Sequence, residues 1–274
     1  MPELPEVETV RKTLQYLLEN KTIRDIDVFY SKMIRTDTIE SFKEKLIGRT
    51  FGEINRVGKH LLFAFGEITL ISHLRMEGKY YIKNLDDPRN KHEHIIFYFT
   101  DGSTLRYHDT RKFGTMDIVP SNVLFDLPPL SKMGLEPFHV KCTISYLKRK
   151  IINRKGPIKG VLLDQTVIAG LGNIYVDEVL FLSKIHPETL VHKLSDNNLQ
   201  DILNNSRFVL NKAIELGGTT IRSYTSSLGV TGRFQNELFV HMRENEPCKI
   251  CKTPIEKIKV VTRGTYVCPT CQKK

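Results

Sequence analysis

No stretch of this 274-residue sequence stays apolar over the ~18–20 residues that a helix needs to cross a bilayer, and runs such as Val179 to Leu182 stop quickly. The opening MPELPEVETVRK has no apolar segment either. Three of its first eight residues are acidic, which argues against a secretory leader. Secreted and membrane-spanning readings are therefore set aside. Cysteine is scarce, at five residues, and a chain of this length can bury a sizeable core without disulfide staples. Negative charge is also in short supply: 31 Asp and Glu face 41 Lys and Arg, a formal net charge of +10. With 40% hydrophobic and 26% charged residues the balance is that of a globular protein, which excludes disorder as the default. The surplus of positive charge favours an anionic partner.

That surplus is local. Residues 141–170 hold Lys141, Lys148, Arg149, Lys150, Arg154, Lys155 and Lys159 against the single acid Asp164. Residues 241–274 hold eight basic residues against three acids, and the remaining 210 positions are nearly neutral. One such cluster is commonly a solvated face. Two separated clusters fit a long polyanion touched at more than one point, because each phosphate contact releases counterions.

The length suggests one large domain or, in preference, two. Residues 5–19 read as a helix: Val7, Val10, Leu14, Leu17 and Leu18 share one face, and Pro5 suits the first turn. From about 50 to 119 the pattern is that of strands. Leu61 to Phe65, Ile68 to Ile71 and Lys79 to Lys83 are separated by glycine-containing turns, and Ile95 to Thr100 meets Ser103 to His108 across Asp101-Gly102. This is a β-rich N-terminal domain flanked by the first helix. Pro120, Ser121, Asn122 and Pro128-Pro129 mark a linker. Helices follow, at 173–185 after Gly170 and Gly172, and along the apolar face Leu199, Ile202, Leu203, Val209, Leu210, Ala213 and Ile214 up to Gly217-Gly218. Eleven of the sixteen residues 217–232 are Gly, Ser or Thr, which predicts a mobile loop, a candidate lid.

Four of the five cysteines carry a pattern. Cys248 and Cys251 form one C-x2-C pair, and Cys268 and Cys271 form another after sixteen intervening residues. Two knuckles at this separation match a tetrahedral Zn²⁺ site. Two disulfides are the alternative, but nothing here indicates export, and a redox C-x-x-C leaves the second pair unexplained. A shell closed by four thiolates has no open position, so one structural zinc is expected. Cys142 is left over and reads as an inert thiol. Between the knuckles, Ile258 and Val260 alternate with Lys257 and Lys259, and Arg263-Gly264 stands where a hairpin turns. The metal would pin a two-stranded finger with Arg263 near its tip, placed to reach a phosphate.

Pro2 and Glu3 read most simply as a helix lead-in. Yet a Met followed by a small Pro is commonly trimmed, and trimming exposes a secondary amine. An α-amino group titrates near ~7.7–8, so a useful fraction is unprotonated at neutral pH. The positive end of the following helix would favour the uncharged amine. Such an amine attacking an aldehyde-level carbon gives an iminium, with Glu3 beside it as acid or base, a chemistry suited to a sugar C1′.

PELPEVE at the start, RVGKHLL around Lys59, HLRMEGK, DTRKFG, AGLGNIY and the terminal four-cysteine finger together resemble bacterial formamidopyrimidine-DNA glycosylases, in order, from Pro2 to Cys271. The resemblance implies an α+β multidomain protein. It would have an N-terminal β-sandwich with flanking helix (2–120), a linker (121–136), a helix–two-turn–helix DNA-binding domain (137–237) and a zinc finger (238–274). It implies a monomeric, cytoplasmic bacterial enzyme, held at the nucleoid by DNA, with no membrane partner. Its substrate would be double-stranded DNA bearing oxidised purines, chiefly 8-oxoguanine and formamidopyrimidines, or abasic sites. Base excision would be followed by strand nicking through β,δ-elimination.

By the same resemblance, Pro2 matches the nucleophile that forms a Schiff base at C1′, Glu3 the general acid of base release, and Lys59 a proton donor for β-elimination. Arg263 matches the phosphate-holding residue assigned to δ-elimination. Met76, Arg111 and Phe113 match the residues that fill the gap left by the flipped base, which itself costs a few kcal/mol to extrude. Read without the family, Met76 is core and Arg111 a solvated charge. His92, Lys155 and Asn173 match DNA-backbone contacts, Asn173 at a helix start where backbone N–H groups favour phosphate.

Arg75, Glu77, Thr110 and Lys112 depart from the commonest pattern and bear on opposite-base preference. The related endonuclease VIII branch, which prefers oxidised pyrimidines, usually begins PEGPE and lacks the Met/Arg/Phe set. A non-catalytic zinc-finger DNA-binding protein would have lost a nucleophile or acid, whereas Pro2, Glu3, Lys59 and Arg263 are all present.

Overall fold

The apolar stripe of the N-terminal segment forms α1 (Leu4–Leu18), with Val7, Val10, Leu14 and Leu18 buried and Pro5 in its first turn. The strands β1 (Ile23–Val28), β2 (Ile54–Val57), β3 (His60–Phe65), β4 (Ile68–His73), β5 (Lys79–Asn84), β6 (Glu93–Phe99), β7 (Ser103–His108) and β8 (Thr115–Pro120) follow, with α2 (Ile39–Leu46) between β1 and β2. They make two antiparallel four-stranded sheets, ordered β1-β6-β7-β5 and β2-β3-β4-β8. Inward residues of both sheets share one core: Phe97 and Leu105 from the first, Phe63 and Leu70 from the second, and Val10 and Leu14 from α1. Phe51 joins the layers, its ring 4.7 Å from that of Phe65 and 5.8 Å from those of Phe63 and Phe99. This is the expected β-sandwich. The β6–β7 hairpin turns at Gly102, whose φ of +85° a side chain would strain.

This computed structural model describes residues 1–219 and 232–274, so most of the predicted 217–232 loop lies outside the described residues. The chain divides into two compact units, Met1–Ser131 with Gly217–Gly232, and Lys132–Leu216 with Arg233–Lys274.

The second unit holds α3 (Ile144–Ile151), α4 (Ile158–Leu163), α5 (Asn173–Leu182) and α6 (Asp196–Glu215), then the hairpin β9 (Glu256–Val260) and β10 (Arg263–Val267). Helix α3 begins where the Thr143 hydroxyl accepts the Tyr146 N–H, and α6 where Ser195 and Asn198 cap each other. Helix α5 is buried nearly all round, from Ile174 to Phe181, which makes it the axis of this unit. Among the described residues no helix is long and apolar enough to cross a membrane. Strands β9 and β10 pair with Val260 opposite Arg263. The turn therefore falls on Val261-Thr262, both at positive φ, and not on Arg263-Gly264 as expected. Arg263 is the first residue of the returning strand.

Candidate functional site

Pro2 and Glu3 are both buried, Glu3 to 2% exposure. The Glu3 backbone N–H donates to Glu6 Oε2 at 2.9 Å within a reciprocal capping box. Glu6 Oε1 accepts the Thr219 N–H at 2.8 Å and its hydroxyl at 3.1 Å. The N-terminal dipeptide is thus held at the positive end of α1, where negative charge is favoured.

One turn further on, Glu8 links this helix end to Lys59. It accepts Arg11 Nη2 at 2.8 Å and Arg56 Nε at 3.0 Å, and Arg56 Nη1 donates to the Gly58 carbonyl at 2.9 Å. Burial pushes the Glu8 carboxyl up, but hydrogen bonds and charge from Arg11 and Arg56 prevail and hold it below its usual 4.5. Gly58, at φ +57°, and Lys59 are the two residues between β2 and β3, and Lys59 is only 4% exposed. The link fixes the start of α1 against the lysine-bearing turn. Neither Glu8 nor Arg56 stood out in the sequence, where 48 positions separate them.

Beside Lys59 the cross-strand neighbours His60 and His73 meet edge to face, 4.5 Å between centroids. Burial, then the charge of Arg75, lowers His60 to about 4. Burial and the His60 ring lower His73 to about 2. Both rings are neutral at pH 7, consistent with His73 Nδ1 accepting the Arg75 N–H at 2.9 Å.

Met76, Arg111 and Phe113 come from two loops locked on one side chain. A Cβ at Gly78 would lie 2.2 Å from the Tyr107 hydroxyl, and one at Gly114 only 1.7 Å from it. Both loops therefore need glycine to close around that phenol. The Met76 turn and the 109–114 loop also meet directly, Thr110 bonding Glu77. Two of the departures from the commonest family pattern thus contact each other.

Asp109, fully buried, shapes the second loop. Its Oδ1 accepts the Arg111 N–H at 3.0 Å, and its Oδ2 accepts those of Phe113 and Gly114 at 2.9 and 2.8 Å. Phe113 stays 51% exposed, and the Arg111 guanidinium lies 4.8 Å from its ring. Met76 is half-buried and is not core. Asp109 was missed as a site residue although it opens the DTRKFG motif. His92, half-buried, stacks edge to face on His108 at 5.6 Å.

In the second unit Lys155 is exposed between α3 and α4. Asn173 opens α5, and its Nδ2 donates to the Gly264 carbonyl at 3.0 Å. Its Oδ1 is buried without a hydrogen-bond partner among the described residues. Lys159, counted in the sequence as part of a basic face, is instead completely buried, paired with Asp177 at 2.6 Å. Arg263 is exposed. Cys142 is buried and its thiol is pushed up to about 11 by burial, which leaves it inert.

The ligand atoms of Cys248, Cys251, Cys268 and Cys271 lie within 4.8 Å of one another. The Cys251–Cys268 and Cys248–Cys271 sulfurs are 3.4 and 4.0 Å apart, bracketing the ~3.8 Å edge of a tetrahedron with ~2.3 Å Zn–S bonds. Backbone N–H groups of Ile250 and Cys271 point at Cys248 and Cys268 sulfur, at 3.4 and 3.5 Å, as in metal knuckles. The four thiols fit one structural zinc. Bound there, it would join the two knuckles and hold the base of the β9–β10 hairpin.

Residues 1–116 match the formamidopyrimidine-DNA glycosylase N-terminal domain, 133–225 the H2TH domain of the same enzymes, and 245–274 the zinc finger found in FPG and IleRS. Sandwich, H2TH helices and four-thiol finger together define a base excision repair DNA glycosylase with a structural zinc. The formamidopyrimidine-DNA glycosylase of Bacillus licheniformis is 49% identical over 278 residues, covering 100% of each chain. That of Ligilactobacillus salivarius is 49% identical over 99% of each. A Lactococcus lactis Fpg structure with abasic-site-containing DNA superimposes with a TM-score of 0.92 at 43% identity, covering 100% of both chains. An L. lactis variant bound to Fapy-dG-containing DNA gives 0.94, also at 43% identity and full coverage. The chain belongs to the formamidopyrimidine-DNA glycosylase family, whose members combine glycosylase and abasic-site lyase activity.

Proposed function

We propose that this protein excises oxidised purines, 8-oxoguanine and formamidopyrimidines, from double-stranded DNA and then cuts the strand by β,δ-elimination, working as a monomer in the bacterial cytoplasm. The observation that carries the reading is the buried Pro2-Glu3 pair held at the positive end of α1 by the Glu3–Glu6 capping box. After loss of Met1, the Pro2 amine attacks C1′, the glycosidic bond breaks, and Glu3 supplies the proton that lets the base leave. The product is an iminium between Pro2 and the opened sugar. Lys59 serves the first elimination as proton donor, and Arg263 holds the phosphate that departs in the second. Met76, Arg111 and Phe113 fill the space of the extruded base, Arg111 facing the unpaired cytosine. His92, Lys155 and Asn173 hold the DNA backbone.

The relatives bound to Fapy-dG DNA, and the MutM structure with carbocyclic 8-oxo-G DNA at a TM-score of 0.93, support the substrate class. The domain boundaries proposed are 2–120, 137–237 and 238–274, with 121–136 as linker. Glu3→Gln tests the division of labour. Base release from an 8-oxoguanine:cytosine duplex should fall by about 10²–10⁴-fold, while cutting at a preformed abasic site, which needs no base release, should stay within a few-fold of wild type. Equal loss of both would contradict the role given to Glu3.

A further inference from the structure

Val261 and Thr262, the two turn residues of the finger, lie at φ +46° and +65°. Side chains branched at Cβ are strongly disfavoured there, where Asn and Gly are the usual occupants. Such a turn persists only where its surroundings over-determine it. Those surroundings are unusual for a protein interior. Lys159, at 0% exposure, donates Nζ to Asp177 Oδ1 at 2.6 Å, to Thr265 Oγ1 at 2.8 Å and to the Gly264 carbonyl at 3.3 Å. The Thr265 hydroxyl passes the contact on, donating to the Arg263 carbonyl at 3.0 Å. Asn173 Nδ2 takes the Gly264 carbonyl from α5. Asp177 Oδ2 pairs with His241 Nδ1 at 2.8 Å and accepts the Tyr266 N–H at 3.4 Å. Val261 packs on α4 at Gly160, where a Cβ would come within 3.0 Å of its Cγ2.

We propose that the buried Lys159–Asp177–His241 cluster, acting through Thr265, is a positioning device for Arg263: it grips the carbonyls of 263 and 264, holds the strained turn, and fixes the direction in which the guanidinium leaves the finger. The inference rests on the role given above to Arg263 in the second elimination. Apolar packing of similar volume would stabilise this interior as well or better, but it would not hold two carbonyls. All four positioning side chains are buried, and they act through the backbone of Arg263.

The test is product analysis on a duplex with a preformed abasic site. The first elimination alone leaves an unsaturated aldehyde at the 3′ end, and the second leaves a 3′ phosphate, so a sequencing gel separates them. Thr265→Val removes the relaying hydroxyl at nearly constant volume. Base release should stay within about two-fold of wild type and zinc content should be unchanged, while 3′-phosphate formation slows by about 10–100-fold. Thr265→Ser should restore it, and Asp177→Asn should shift the products in the same direction as Thr265→Val. Relaxing the turn with Val261→Asn and Thr262→Gly in the Thr265→Val background should recover much of the loss. A wild-type product ratio in Thr265→Val overturns the inference. So does a parallel fall of base release and both eliminations, which marks a merely structural residue. Wild-type protein that leaves the abasic site uncut overturns the role of Arg263, and the inference with it, a result distinct from the other two.

Discussion

Replacing Asp109 with alanine should cost about 3–5 kcal/mol, and the structure sets the figure. The carboxylate is fully buried and accepts three backbone N–H bonds between 2.8 and 3.0 Å. Hydrogen bonds to an ionised group contribute ~1.5–3 kcal/mol each and are not additive. Arg111 and Phe113 are exposed, so water replaces the acceptor for their N–H groups. Gly114 is buried, and its N–H would be stranded at ~1–3 kcal/mol. Asp109→Asn keeps an oxygen for Phe113 and Gly114 and forfeits the Arg111 bond and the charge, so it should cost about 1–2 kcal/mol. Scanning calorimetry of the sandwich transition should show the alanine variant melting about 10–15 °C lower and the asparagine variant about 3–6 °C lower. Base release should fall with the loop that carries Arg111 and Phe113. An alanine variant within about 1 kcal/mol of wild type, or an asparagine variant equally damaged, would refute the reasoning.

Acid sensitivity should trace in part to His60. Its folded pKa, about 4, lies below its unfolded value near ~6.5, so the unfolded chain binds the proton more readily and stability falls as pH drops through that window. Between pH 7.5 and 4.5 this site alone should remove about 2–3 kcal/mol, and His60→Phe should show that much less loss in urea midpoints measured at the two pH values; an unchanged pH dependence would count against it. Stripping zinc with a chelator should abolish duplex binding while the sandwich transition survives, because the metal supplies ~10–16 kcal/mol to the finger alone. Binding should return on adding one equivalent of Zn²⁺, and full affinity in the metal-free protein would contradict a structural role.

Where the sequence was legible, one local rule sufficed. The α1 stripe, the Asp101-Gly102 hairpin and the four-cysteine spacing each declare themselves within a few residues, and all three stand in the structure. The short elements β1, α2, α3 and α4 went unread. Eight residues with two or three buried, as in α2 and α3, hold too few periods to signal a helix. The finger turn was misplaced because glycine at 264 looked like the natural turn residue. The chain instead bends at Val261-Thr262 and supports that choice through contacts up to 106 positions away. Lys159 was misread for the same reason: its burial depends on Asp177 and Thr265, which no spacing rule connects to it. Of the candidate site, the residues proposed above were named from motifs in the sequence. What was not readable were the partners that orient them, Glu8 and Arg56 for Lys59, and Asp109 and Tyr107 for Arg111 and Phe113.

The central claim is that an N-terminal amine does the chemistry. Borohydride added to zinc-loaded protein, with Met1 verified absent by mass, and an 8-oxoguanine:cytosine duplex should reduce the iminium and leave protein and DNA covalently joined through Pro2, as peptide mapping would locate. A duplex cut without any trapped complex, or a cross-link mapped to a lysine side chain, would contradict it.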